Sequence, residues 1–461
     1  MPKSEFKLLV AEMCPAAIET MHTGPGTYPV IIEDSIVTMT RVMQSLSKSE
    51  DMYTADDIVR LLFSSVVTAA KNVPYYVCVF DKYRFVTKAK EAEQRARDVD
   101  KQKELDKEPI YSSRQAVQGS KKFSTLLAAM ESGCKTPPNE QKKTVSGGNI
   151  PLLGLVWRKS FNECRKQKRF LVRLVIQRAT AILPEMMRRA QVPAHHRIVI
   201  DGESVATDPI IKSCTSTEPT DQDRQLEAEL ANELGEFDVS HQHHLHSEIL
   251  QNLVNNIPDA CFLVKTVDTD IIVINSARCR DANYPNSVRI QMDMPKKARL
   301  NGEPIDKSHA YYFDPDKIRS WADSLLGDTC SGFNGLVEIF HLAGSDFSSG
   351  LPGVGNLKLM HEYIIWAQRN KDKTVDEFYN CRIRQQRNKY IGVKNASAKS
   401  KSIKRKIDHL IRTAEHPLRR VKWVTEDYWS GRNLISPLGN GYSIDASATP
   451  SVYCFSEDLC E

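Results

Sequence analysis

Apolar positions fall into short uninterrupted runs and longer helix-period stretches. Residues 27–32 (TYPVII), 74–80 (PYYVCVF) and 197–200 (RIVI) read as three buried strands. Helical periodicity starts at Ile36, spans 55–70, and returns over about 245–256 and about 334–342. The segment ACFLVKTVDTDIIVIN, after the third of these helices, reads as two short strands around an acidic turn. Residues 86 to about 107 are charged and helical, 133–148 a loop, 159–189 a basic helix, and 215–236 an acidic surface excursion. Beyond about Asn370 the chain is basic and weakly patterned, and after Trp429 it reads as irregular. No internal repeat is visible. Strands alternating with helices predict an α/β fold, a mostly parallel sheet with helices on both faces. Such sheets bind ligands at the carboxyl ends of their strands.

Composition narrows the function classes. The chain has 461 residues, 41% hydrophobic and 26% charged, enough for a sizeable core plus a small second domain or long insertions. A net charge of +5 is small for this length, so only local clustering argues for a polyanionic partner. No run reaches the roughly 18 apolar residues of a membrane span, and the amino terminus lacks the pattern of a signal peptide. The expectation is an intracellular protein, cytoplasmic or nuclear, with no membrane partner. The eleven cysteines are scattered without a CxxC pair, which fits free thiols in a reducing compartment. Neither GxxxxGK[ST] nor GxSxG occurs, so neither an ATPase nor a hydrolase with a nucleophile elbow is supported.

Acids recur at strand ends. Glu33 and Asp34 follow PVII, Asp81 follows YYVCVF, Asp201 follows RIVI, Asp268 and Asp270 flank the turn after CFLVKTV, and Asp346 follows FHLAGS. A lone acid of this kind caps a helix or starts a turn. Several carboxylates converging at one sheet edge raise each other's pKa unless a cation neutralises them. Mg²⁺ takes hard oxygen ligands, and two such ions roughly 4 Å apart activate water and stabilise the leaving oxygen of a phosphodiester. Convergence of these acids therefore predicts phosphoryl chemistry.

Several of these segments also match a family pattern. VFDKYRFVTKAKEAEQRAR resembles the flap-endonuclease segment in which a strand ends in VFD and a basic helix follows. Lys88 and Arg95, seven and fourteen residues after Asp81, match the pair that holds the scissile phosphate in that family. VDTDIIVI resembles the acid-x-acid motif shared with 5′-to-3′ exoribonucleases. HLAGSDFSSGLPGVG resembles the last metal-site Asp followed by a helix–three-turn–helix. Gly353 and Gly355 match its tight turn, and with Lys358 they are the nucleic-acid-binding positions the likeness implies. A closer likeness is to poorly characterised PIN-like proteins of eukaryotes and mobile elements, through GEFD, VDTD and SPLGNGY. The resemblance covers about 28–368 and implies a three-layer α/β/α PIN-like domain over 28–370. That domain would carry a helical insertion at about 86–192 and the helix–three-turn–helix at about 334–370, between an extension at 1–27 and a basic helical extension at 371–461.

The likeness implies a divalent-metal-dependent nuclease acting on DNA or RNA, a 5′ structure-specific endonuclease or a 5′-to-3′ exonuclease, using two Mg²⁺ or Mn²⁺ ions. Its metal ligands would be Glu33 or Asp34, Asp81, Glu236, Asp238, Asp268, Asp270 and Asp346, with Lys88 and Arg95 catalytic. The family's first strand ends in a single Asp, whereas IIEDS offers Glu33 in the aligned place and Asp34 one later. For the middle pair, Glu227 and Glu229 or Asp201 and Glu203 are alternatives to Glu236 and Asp238. The irregular first motif also admits a catalytically degraded PIN-like fold that binds nucleic acid or acts as a scaffold. The histidines of HQHHLH (241–246) lack nearby cysteines and read as a helix face rather than a zinc site. The Lys- and Arg-rich stretch 382–406 is either a solvated or nuclear-import helix or a phosphate-contacting surface. The basic helices at 88–97 and 159–173 admit a gating role over single strands or ordinary helical charge pairing.

Overall fold

The structure, a computed structural model, describes residues 4–20, 28–35, 37–38, 41–42, 55–70, 73–80, 186, 196–200, 203–204, 237–306, 309–327, 332–345, 347–348, 350–391, 397–429, 442–445 and 452–455. Described residues up to 20 and from 267 on belong to one compact unit, and those from 28 to 266 to another. The expected helix at 86–107, the loop at 133–148, the acidic excursion at 215–236 and all but Met186 of the basic helix at 159–189 lie outside the described residues. The chain opens with helix α1 (Ser4–Met13) and strand β1 (Ile18–Glu19), both in the first unit.

In the second unit, β2 (Val30–Asp34) is followed by α2 (Ala55–Ala70), β3 (Tyr75–Phe80), β4 (His196–Ile200) and β5 (Glu203–Ser204). Helices α3 (Phe237–His246) and α4 (Glu248–Asn255) then lead to β6 (Phe262–Lys265). The strand order is β6-β2-β3-β4-β5, with β6, β2, β3 and β4 parallel and β5 antiparallel at the edge. The sheet is thus mixed and largely parallel, and the unit is α/β. All five residues of β2 are buried, as expected of a parallel strand covered on both faces. Helix α2 packs on β3, α3 on β2 and β3, and α4 on β2.

The first strand differs from its predicted span: it starts at Val30, after Pro29, and carries Glu33 and Asp34 inside it. Ladder bonds to both neighbours hold the two acids in the strand, since Glu33 pairs with Cys78 and Lys265, and Asp34 with Val79. The expected helix at 245–256 is two helices, broken at Ser247, whose Oγ accepts the Leu250 amide at 3.4 Å. A Ser there favours starting a helix over continuing one.

The first unit continues with α5 (Asp270–Arg278), β7 (Val288–Met292), the short pair β8 (Arg299–Leu300) and β9 (Glu303–Pro304), and β10 (Tyr311–Phe313). Strands β1, β10 and β7 form an antiparallel ladder. Helices α6 (Pro315–Leu326), α7 (Gly332–Leu342) and α8 (Asn356–Arg369) follow. After them come α9 (Val375–Asn388), α10 (Ala398–Thr413), α11 (Glu415–Trp423) and the antiparallel pair β11 (Tyr442–Asp445) and β12 (Val452–Phe455). Helix α1 packs against α8, and its Phe6 lies edge-on to Phe340 of α7 at 5.5 Å between centroids.

The run IIVIN is helical, not the strand read from the sequence. Residues 270–276 of α5 are all buried, and a helix buried on every side shows no polar face for periodicity to detect. The region past Asn370 is firmly structured where it is described: Thr374 and Glu377 form a reciprocal capping box at α9. Residues 442–445 and 452–455 form strands where an irregular tail was expected. Among the described residues, no helix is long and apolar enough to cross a membrane.

Candidate metal centre

Glu33 and Asp34 are adjacent in β2, so their side chains leave opposite faces of the sheet. They are therefore alternatives rather than partners in one centre. On its face Glu33 meets three donors. The Tyr76 hydroxyl donates to Oε2 at 2.7 Å, the Thr38 hydroxyl donates to Oε1, and Lys265 Nζ lies 3.8 Å from Oε2. Glu33 is 2% exposed, and a buried carboxylate is stable only when satisfied in this way. Burial, together with the neighbouring Cys78 and Glu33, pushes the Tyr76 hydroxyl well above its usual range. Burial does the same to Cys78, helped by Glu33 and Asp34. Both groups stay neutral: Tyr76 is a donor to Glu33, and Cys78 sits beside it in the neighbouring strand.

Asp34, also buried, accepts a hydrogen bond from Thr266 Oγ1 at 3.1 Å. It is the last residue of β2, and the parallel neighbour β3 ends at Phe80, one residue before Asp81. Asp81 itself, with Lys88 and Arg95, lies outside the described residues. So do Glu236 and the alternatives Asp201, Glu227 and Glu229. Glu203 is described only as β5 backbone, and Asp238 only as the second residue of α3. On α3, His241, Gln242, His244 and Leu245 are buried, so those two histidines pack into the interior. Tyr75 and His244 lie 6.5 Å apart, ring to ring.

In the other unit, Asp268 Oδ1 accepts the Asp270 amide at 3.1 Å and so opens α5. Asp270 is fully buried in the first turn, where the helix dipole favours a negative charge. Lys7 on α1 is buried and donates to the Asp293 carbonyl at 2.9 Å. Burial lowers its ammonium pKa to about 8, a shift opposed by the charges of Asp268 and Asp293. Sequence reading missed Lys7 because only the docking of α1 brings it near Asp268.

Asp346 lies outside the described residues, but its flanks are well held. His341 Nδ1 and Ser345 Oγ are 2.8 Å apart, and Ser345 Oγ accepts the Phe347 amide at 3.1 Å. The fully buried Arg420 of α11 donates from Nε to the Phe347 carbonyl at 2.5 Å. Trp429 lies 4.5 Å from the His341 ring. A Cβ on Gly350 (φ +76°) would fall 2.5 Å from the Ala343 carbonyl oxygen, so the backbone of Gly350 and Ala343 approaches too closely for a side chain there.

Further along, Gly353 has φ +77°, and a Cβ there would lie 2.8 Å from Gln386 Nε2. Gly355 is the N-cap of α8 and faces open space, and Lys358 in its first turn is exposed, 4.0 Å from Glu362. Among the described residues, no group of three or more His, Cys, Asp or Glu is placed to hold a metal ion. Compared with known proteins, the chain matches no family model and no curated protein. Asp34 and Asp268 offer carboxylate oxygens, the donor type that a hard divalent ion takes, whereas Glu33 has the Cys78 thiol beside it in the neighbouring strand.

Proposed function

We propose that the protein is a divalent-metal-dependent nuclease of the PIN-like kind, a three-layer α/β/α domain that hydrolyses phosphodiester bonds in DNA or RNA. The observation that carries this reading is Asp34. It is a buried carboxylate at the carboxyl end of a central parallel strand, beside the strand that leads into Asp81, where such sheets bind ligands. Asp34, Asp81, Glu236, Asp238, Asp268, Asp270 and Asp346 would hold Mg²⁺ or Mn²⁺, which supplies Lewis-acid activation of water and stabilisation of the leaving oxygen. Glu33, saturated by Thr38, Tyr76 and Lys265, braces the strand. Lys88 and Arg95 orient the scissile phosphate and offset charge that develops on it. His341 and Arg420 hold Ser345 and Phe347, the residues on either side of Asp346.

One observation favours a second reading, a degraded PIN-like fold that binds nucleic acid without cutting it. Lys265 faces Glu33, and Lys7 bears on Asp268, so protein cations already neutralise part of the acid set. The test is incubation with 5′-labelled flap, nicked-duplex and single-stranded DNA and RNA, with Mn²⁺ or with EDTA. Cleavage confined to the Mn²⁺ arm supports the nuclease, and tight binding with no cleavage in either arm supports the degraded fold.

A further inference from the structure

We propose that helices α9 and α10 present a docking face for the phosphate backbone of a nucleic-acid duplex. On α10, Lys401, Lys404, Arg405 and Arg412 are all exposed. Their spacings of three, four and seven residues place them on one side of a helix with 3.6 residues per turn. The opposite side of α10 is buried through Ile407, and Ala414, the residue that caps its end, is buried on that side as well. On α9, Arg384 and Arg387 are exposed one turn apart. Asp408 ties the two helices together: Arg387 Nε donates to Oδ1 at 2.8 Å, and Lys404 Nζ lies 3.5 Å from Oδ2. Arg384, Lys401, Arg405 and Arg412 have no acidic partner among the described residues. Of these six cations, only Arg387 and Lys404 have a carboxylate partner among the described residues, and they share Asp408. Arg382, which the sequence groups with them, turns inward and donates to Glu362 at 2.6 Å.

The form of the patch selects its occupant. The stripe from Lys401 to Arg412 is about 16 Å long, and packed helices lie about 8–10 Å apart. The cations thus form a rigid two-dimensional array suited to a row of backbone phosphates. Binding of single strands relies on aromatic side chains that stack bases. Helix α10 has no aromatic residue, and Phe378 and Tyr379 of α9 are buried, so a duplex read through its backbone is the fitting partner. The face is also fixed to the Gly353 turn, because Gln386 donates to the Pro352 carbonyl at 3.4 Å and Ile403 Cγ2 would lie 3.3 Å from a Cβ on Gly353. The proposal rests on the nuclease reading only for the class of its partner, and adds the form of the polymer and where it is held.

The experiment is fluorescence anisotropy with the full chain in EDTA, using a labelled DNA duplex of about 20 base pairs. A variant carrying Lys401→Glu and Arg405→Glu is expected to bind at least about tenfold more weakly, with a log–log salt slope shallower by about 2. A control carrying Lys296→Glu and Lys297→Glu makes the same charge change at two exposed positions elsewhere and is expected to bind like wild type. Equal affinity for wild type and the first variant overturns the proposal. Equal loss in the control, tighter wild-type binding to a single strand, or tighter binding to phosphatidylserine vesicles does so as well. If the first variant loses duplex binding in a protein that cleaves nothing, only the nuclease reading falls. If cleavage is intact and binding unchanged, only the docking face falls.

Discussion

Glu33→Ala removes the acceptor of two buried hydroxyls, Tyr76 and Thr38, and the counter-charge of Lys265. Each orphaned buried donor costs about 1–3 kcal/mol. Lys265 keeps a side chain 23% exposed, so water absorbs much of the lost ion pair and that part adds less than about 1 kcal/mol. The expected destabilisation is therefore about 2–7 kcal/mol by urea unfolding. Tyr76→Phe removes one of the two donors and keeps the shape. In the Glu33→Ala background it should cost much less than in wild type, because the donor it deletes is already orphaned. Manganese affinity should be unaffected by Glu33→Gln and reduced in Asp34→Asn. The reverse pattern, with Glu33→Gln losing Mn²⁺ and Asp34→Asn keeping it, would falsify the division of labour between the two acids.

Asp268→Asn should abolish cleavage while the protein stays folded, since Asn still offers an oxygen to the Asp270 amide; activity of the purified variant on a labelled flap decides this. Lys88→Ala and Arg95→Ala should each slow single-turnover cleavage about tenfold or more with unchanged Mn²⁺ affinity, and wild-type rates in both would remove them from the phosphate site. Burial raises the Glu338 carboxyl pKa to about 7, an effect reduced by Lys422 and reinforced by Asp376 and Glu426. A carboxyl raised in the folded state binds its proton more tightly there than in the unfolded chain. Stability should therefore fall as pH rises from about 4.5 to about 7. Glu338→Gln should flatten that interval in urea melts at stepped pH, and an unchanged slope would exclude Glu338 as its source.

The strands and helices that carry their own pattern were legible in the sequence. Helix α2 occupies its expected 55–70, and β3 lies within the run 74–80. Helix α5 was not legible, because an apolar β-branched run has the same appearance in a buried helix as in a buried strand. The candidate site was half legible. Acids near strand ends announce themselves, but the choice between Glu33 and Asp34 depends on strand register, which sets Tyr76 and Lys265 on the Glu33 side and Thr266 beside Asp34. Lys7 and Arg420 come from elements far away in the chain and gain their meaning only from packing. The basic stretch 382–406 was visible as composition, but only burial separates inward Arg382 from the exposed cations around it.

The most direct test of the central claim is calorimetric titration of the full-length wild-type protein with Mn²⁺ in the absence of nucleic acid. A two-metal nuclease should take up two ions per chain, with the heat of binding reduced in Asp34→Asn and Asp346→Ala. Uptake of no ion, or of one ion insensitive to both substitutions, would contradict a two-metal centre and favour the degraded fold.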